Sequence, residues 1–244
     1  MQASDLSALN KARRDRTAIL IATDLGSGEA RIIHDDGSAA GGPVWPGLGP
    51  SIADCFRTGR SALVRDADGR EIFLGVQVPA PRLVVVGAVH ISQAMVPIAA
   101  VTGFDLVVVD PRTAFASADR FPGVALEPVW PEDVLPGLNL DRYTAFAALT
   151  HDPKIDDWAI AHALERHCFY VGALGSRKTH GKRRDRLIER GVSAADLDRI
   201  DAPIGADIGA ASPAEIAVAI IANVIAALRR RSLPAGNRDG EAAA

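Results

Sequence analysis

Cysteine is nearly absent. The 244 residues hold two, Cys55 and Cys168, far apart and outside any CxxC pair, so no disulfide framework is implied. An excess of charge of one sign is missing as well. Lys and Arg number 27 against 30 Asp and Glu, a formal net charge of −3, whereas a nucleic-acid-binding domain usually carries a basic excess on one face. Long apolar runs are also lacking. The longest candidate, PAEIAVAIIANVIAAL (213–228), is interrupted by Glu215 and Asn223 and falls short of the ~20 apolar residues of a membrane span. The opening MQASDLSALNKARRDRTAIL has no apolar core of a secretory signal, so a cytoplasmic location is expected. No GxxxxGK[ST] motif appears, which removes the P-loop. Trp45, Trp130 and Trp158 are scattered and call for no cofactor. What remains is an ordinary globular composition, 48% hydrophobic and 23% charged, with length for one large domain or two small ones.

Residues 1–78 read as a small α+β domain. AILIATD (18–24) and ARIIHDD (30–36) flank Gly26-Ser27-Gly28, a hairpin signal. SIADCFRTGR (51–60) has helical spacing, and Asp68-Gly69 forms a turn between two β-rich runs within 62–78. Pro79-Ala80-Pro81 then reads as a linker. From residue 82 to 230 strands alternate with helices. LVVV (83–86) is continuously apolar, as a strand buried on both faces of a parallel sheet must be. Further strands are expected at 105–110, 124–128, 143–150 and 168–174. Helices are expected at 91–103, 156–167, 178–190 and 213–230, the last with Ser212 as N-cap and Pro213 at N1. This pattern predicts an α/β fold: a doubly wound, mostly parallel, Rossmann-like sheet behind the small N-terminal domain. The tail 231–244 is expected to be disordered.

On such a sheet ligands bind at the carboxyl ends of the strands, so the strand-to-helix loops are the candidates. The first, Gly87-Ala88-Val89-His90, has the tight-turn glycine of a dinucleotide fingerprint. Val89 and Ser92 stand where its second and third glycines belong, and a β-branched residue at 89 hinders close approach of a pyrophosphate. Asp110 ends the second strand at the distance expected of an acid that bonds a ribose 2′-OH, with Arg112 beside it for a phosphate; the plainer reading is a surface Asp–Arg pair. His151 and Asp152 follow the fourth strand, where they could act as acid and base. No second histidine sits at ligand spacing, so no metal site is expected. Asp156 and Asp157 read as first-turn residues favouring the helix dipole. Gly172, Gly175, Ser176 and Arg177 lie in GALGSRK, the loop best suited by composition to bind an anion. Gly205 and Asp207, in PIGADIG, suit a backbone held close to a ligand, or a turn before a helix cap. The basic run Lys182, Arg183, Arg184, Arg186 reads as a solvated helix face, or as a docking surface for an acidic partner.

Four stretches, GAVHISQAMVPIAAVTGFDLVVVDPR, LTHDPKIDDWAIAHAL, YVGALGSRKTHGKRRDRL and DRIDAPIGADIGAASPAEIAVAIIANVIA, together resemble the C-terminal Rossmann domain of the xanthine dehydrogenase accessory protein family (XdhC/CoxI) over about residues 82–230. The resemblance implies a maturation factor for a molybdenum hydroxylase, a chaperone rather than a turnover enzyme. Such a factor binds molybdenum cofactor, as molybdopterin or its cytosine dinucleotide form, and aids its sulfuration and insertion. Its partners would be the apo-hydroxylase and the cofactor-sulfurating enzyme; Ile216, Ile220, Val224 and Ala227 could also carry a homodimer, although the stripe reads first as core. The chain departs from the family at Pro50-Ser51, where glycine and cysteine are expected; Cys55 falls later, on a predicted helix. Val89 replaces a glycine and Asn223 a glutamate. The alternative reading is an NAD(P)-dependent oxidoreductase on the same fold.

Overall fold

The computed structural model describes residues 3–230; the 231–244 tail expected to be disordered lies outside them. Residues up to Pro79 form one compact unit and Ala80–Arg230 another. The first unit runs α1 (Ala3–Arg14), β1 (Ile19–Asp24), β2 (Ala30–His34), β3 (Ala39–Ala40), α2 (Gly49–Thr58), β4 (Ala62–Arg65) and β5 (Glu71–Gln77). Its strands form an antiparallel sheet in the order β3-β2-β1-β5-β4. An aspartate organises each main hairpin. Asp24 accepts from the Gly26 amide at 2.8 Å, and Asp66 accepts from the Asp68 and Arg70 amides at 3.0 and 2.9 Å, as short acidic side chains do in turns. Helix α1 escaped the sequence reading because its surface is mostly polar; from residue 6 onward only Ala12 is buried in it.

The second unit runs β6 (Arg82–Val86), α3 (His90–Thr102), β7 (Asp105–Val109), β8 (Ala125–Glu127), α4 (Pro131–Leu138), β9 (Thr144–Ala148), α5 (Pro153–Glu165), β10 (Tyr170–Ala173), α6 (Arg177–Glu189), α7 (Ala194–Leu197), β11 (Ile200–Asp201) and α8 (Pro213–Arg230). Six strands pair in parallel in the order β11-β10-β9-β6-β7-β8. The chain reverses its winding between β6 and β9, the switch point where doubly wound folds bind ligands.

The apolar run 83–86 behaves as a strand buried on both faces. Val84 and Val86 pack with Phe146, Ile160 and Leu187 in one core, while Leu83 and Val85 pack with Met95, Ile220 and Val224 in the other. Ile220 and Val224 are fully buried, and Ile216 and Ala227 pack against the same core, so the last helix places this stripe inside its own unit. Gly103 ends α3 with φ 78°, its amide bonded to the last carbonyls of the helix. Three elements are additions: α4, the single-turn α7 and β11. Helix α4 carries Pro136 and Gly137, poor helix formers, but buries Leu135 completely, so tertiary packing overrides propensity. Strand β11 is two residues long, too short for an alternation signal. No helix among the described residues is long and apolar enough to cross a membrane.

Gly172 is the tightest point of the sheet. A Cβ there would stand 2.5 Å from two Ile204 side-chain carbons and 2.8 Å from the Tyr170 hydroxyl. Gly172→Ala should therefore cost about 1–3 kcal/mol of stability, read as a lower midpoint in urea unfolding.

Candidate functional site

The turn after β6 is closed by the protein's own groups. Gly87 adopts φ 122°, and a side chain there would come within 3.1–3.2 Å of the Leu149–Thr150 backbone; glycine is required. The Gly87 amide donates to the Val109 carbonyl at 2.8 Å, the Ala88 amide to Asp110 Oδ2 at 2.7 Å, and the Val89 amide to Ser92 Oγ at 2.8 Å. The Ser92 hydroxyl in turn donates to the Gly87 carbonyl at 2.7 Å and is fully buried. Three successive amides are thus already paired.

Asp110 is fully buried. Besides Ala88 it accepts from the Arg112 amide and Nε, both at 2.9 Å, and from Arg112 Nη2 at 2.7 Å. Burial alone would push its carboxyl up. The Arg112 guanidinium and the two amides outweigh burial and hold it below the usual carboxylate range. The sequence reading offered Asp110 to a ribose or to a surface pair with Arg112. The pair forms, but its carboxylate is interior and its oxygens are engaged. Arg112 lies against Phe115, its guanidinium carbon 4.8 Å from the ring centroid.

A second edge is built by the loops after β9 and β10. Asp152 caps α5, accepting from the Lys154 amide at 2.9 Å, and Pro153 follows at the first helical position. His151 is exposed at φ 64°. Thr150 Oγ1 accepts from the Asp152 amide at 3.0 Å and donates to Asp156 Oδ1 at 2.7 Å. Asp156 and Asp157 are only 1% and 2% exposed. Asp156 does lie in the first turn of α5, as read, and both side chains are interior because α6 packs on α5. Arg186 meets Asp157 with two bonds, Nε to Oδ2 at 2.5 Å and Nη2 to Oδ1 at 3.0 Å. Asp156 has no such partner. Burial pushes its carboxyl up to about 6 against the pull of Thr150 and the more distant Arg183 cation. Its Oδ2 is buried without a hydrogen-bond partner. Arg183, 2% exposed, donates from Nη2 to the Leu174 carbonyl at 2.8 Å, while its Nε and Nη1 are buried and unpartnered.

Between these groups lies a cleft of about 260 Å³, lined by His151 and Pro153 on one side and by Lys178, Thr179, Lys182, Arg183 and Arg186 of α6 on the other, with Asp156 and Asp157 at its wall. The sequence reading treated 182–186 as a solvated run. The residues that matter are Lys178, Lys182 and Arg186 in one i, i+4 row and Thr179 and Arg183 in the adjacent row, one helix face. That spacing is the signal that would have found them.

The other candidate residues disperse. Ser176 caps α6, accepting from the Thr179 amide at 3.2 Å, and Gly175 packs against the Thr179 side chain at φ 127°. Arg177 is exposed beside them. Gly172 is a packing glycine inside β10. Gly205, at φ 99°, lies 3.2 Å from the α8 backbone by its would-be Cβ and donates to Asp201 at 3.3 Å. Asp201 also accepts from the Tyr170 hydroxyl at 2.5 Å and from Asn223 at 3.0 Å. His90 and Asp207 are exposed. Burial pushes the thiols of Cys55 and Cys168 up, that of Cys168 to about 12, so neither is poised as a thiolate.

Two outcomes follow from these contacts. Val89→Gly leaves the Ala88 and Val89 amides on Asp110 and Ser92, so titration calorimetry with NAD or NADP at millimolar concentration should show no binding in the variant; tight binding would contradict the closed turn. Asp156 titrates near 6 when folded and near 3.8 when unfolded. Its contribution to stability is complete below the lower value and is lost as pH rises through the upper one, at most roughly 3 kcal/mol. Asp156→Asn should therefore be more stable than the parent at pH 7–8, with the gap closing towards pH 4, as chemical denaturation across pH would record.

Residues 83–224 match the family described as the XdhC Rossmann domain. The chain is 31% identical over 153 residues to a Bacillus subtilis protein described as a probable xanthine dehydrogenase component, 62% of this chain and 44% of that protein. It is 32% identical over 146 residues to the molybdenum cofactor insertion chaperone PaoD of Escherichia coli, 60% of this chain and 40% of that one. A solved Bacillus halodurans structure described as a xanthine dehydrogenase superposes with a TM-score of 0.63 at 23% identity, covering 95% of this chain and 66% of the other; at that identity it shows a shared fold. The chain spans less than half the length of the curated relatives it matches, between 31% and 44%. With more than half of its residues inside the matched domain, the protein belongs to the XdhC family.

Proposed function

We propose that this protein is a maturation factor for a molybdenum hydroxylase, carrying molybdenum cofactor as cargo and delivering it to the apo-enzyme. Family membership is the observation that supports the reading, together with a relative named as a molybdenum cofactor insertion chaperone. The site chemistry agrees with it. A Rossmann strand order ordinarily serves a dinucleotide, but here the first turn has committed its amides to Asp110 and Ser92. The neighbouring edge instead presents the cations of α6 to a ligand. A phosphate-bearing pterin offers the negative charge such an edge accepts. His151 and Asp152 are the loop residues assigned here to the cargo's approach, with Ser176 and Arg177 at the start of α6.

The molybdenum end of the cargo finds no thiolate in this chain, since Cys55 and Cys168 are both buried. The sulfido ligand would then come from a separate sulfurating enzyme, with this protein shielding the cofactor during and after that exchange. In this reading the protein is a carrier. An oxidoreductase role for the same fold would need a free acid after β7 and an open first turn, and both are engaged internally.

The test is to purify the protein from cells that make the cofactor, oxidise it and assay released pterin by fluorescence, then co-express it with a molybdenum hydroxylase. Pterin in the preparation and a several-fold rise in the fraction of active hydroxylase are expected. A preparation without pterin, together with unchanged hydroxylase activation, would end the proposal.

A further inference from the structure

The cleft between α5 and α6 holds three buried polar atoms with no partner: Arg183 Nε, Arg183 Nη1 and Asp156 Oδ2. Native structures rarely leave such groups unsatisfied, because each forgoes hydration with nothing in return. All belong to side chains that are at least 98% buried and line the same cleft. Arg183 carries a further peculiarity. Arg186, one turn along, is neutralised by its paired bonds to Asp157, but Arg183 has only a carbonyl as hydrogen-bond partner. Lys178 and Lys182 extend its charge towards solvent. The local charge is positive, and at about 260 Å³ the space accommodates one phosphate with a few waters, each about 30 Å³.

We propose that this cleft is an oxyanion subsite for a single phosphate group, in which Arg183, Lys178 and Lys182 meet the phosphate charge and the unpartnered Asp156 oxygen faces one phosphate oxygen across a shared proton. The proposal rests on the maturation reading only for the molecule that bears the phosphate, a pterin phosphomonoester. A guanidinium whose Nε and Nη1 still have N–H groups to give can donate to phosphate oxygens. A carboxyl facing an anion is tolerated when it carries the proton and acts as donor, and a carboxyl buried without an ion-pair partner inclines to that form.

The groups around Asp156 set its response to pH. From α6 these are Arg183, Arg186, Lys178 and Lys182. From the loop after β9 they are Thr150, His151 and Asp152; Asp157 is its neighbour on α5, and the Arg112 cation acts on it from the loop after β7. Protonation of Asp156 as pH falls favours an anion, and the His151 imidazole lines the same cleft, so the two side chains must be separated by variant.

The experiment titrates the full chain with inorganic phosphate and with sulfate, whose charge is constant over the range, by calorimetry and by shift in Tm. Phosphate binding is expected, weakened about tenfold or more in the double variant Lys178→Ala, Lys182→Ala, whose exposed side chains can be removed without disturbing the core. Sulfate affinity should rise about threefold or more between pH 7.5 and 5.5 in His151→Gln, and stay flat in the double variant His151→Gln, Asp156→Asn, which has no carboxyl at 156 to gain a proton. No phosphate binding at millimolar concentration, binding indifferent to the two lysines, or a pH rise in His151→Gln that survives the addition of Asp156→Asn would each overturn the proposal. A third titration uses the oxidised fluorescent pterin with and without its phosphate. Tighter binding of the phosphorylated form, lost in the lysine variant, joins the subsite to the carrier reading. If inorganic phosphate binds and the phosphorylated pterin does not, the subsite stands and the carrier reading falls.

Discussion

The bidentate pair between Arg186 and Asp157 fixes how α6 lies on α5, and the whole second edge of the sheet depends on it. Asp157 is almost fully buried and Arg186 partly so, a geometry in which both carboxylate oxygens are met and desolvation is offset by directed bonds. With the pair formed, α6 turns its other cations along the same face. Arg183 is carried inward, where the Leu174 carbonyl takes one donor. Lys178 and Lys182 remain at the mouth. Adjacent aspartates thereby acquire opposite characters: Asp157 is an ion-pair partner, and Asp156 is a buried acid bonded to a threonine hydroxyl. One helix-to-helix contact converts a polar sequence into a partitioned electrostatic surface.

The first edge follows the reverse logic. There the buried Asp110 is satisfied by Arg112 and by the Ala88 amide, so the end of β7 and the turn after β6 are stitched together. Arg120 adds to the closure from further along the chain, donating to the Ala88 carbonyl at 3.0 Å and to Gln93 at 2.9 Å. Polar groups that a nucleotide-binding member of this architecture directs at its ligand are directed here at each other. The two edges sit on one parallel sheet, the first with its polar groups paired internally and the second with the cations of α6 around a cleft.

Much of this was legible in the residues. The run LVVV specified a doubly buried strand because a parallel sheet covered on both sides allows no alternation, and Gly103 and Ser212 marked a helix end and a helix start by their backbone and capping chemistry. The closure of the first turn was visible only in part. Val89 drew attention as a bulky residue, whereas the closing bonds come from Ser92 and Asp110, whose partners depend on how the chain folds back. The second edge was obscured by reading charge along the chain: 182–186 looks like a uniform basic run until it is wound at 3.6 residues per turn. Asp156 and Asp157 were read from helix position alone, and only the strand order, which sets α6 beside α5, reveals that they are interior. Sequence carries local geometry well. It carries poorly which of several possible partners a charged side chain will choose.

The self-satisfied turn also has an evolutionary consequence. Ser92 and Asp110 each hold one buried turn amide, so losing either alone strands a donor at a cost of about 1–3 kcal/mol, in a protein whose total stability is of order 10 kcal/mol. A lineage descended through such a turn cannot regain dinucleotide binding by single neutral steps, because the intermediates are less stable and still have no nucleotide to bind. The turn acts as a ratchet: with its amides committed inward, a return to nucleotide binding takes more than one substitution at once.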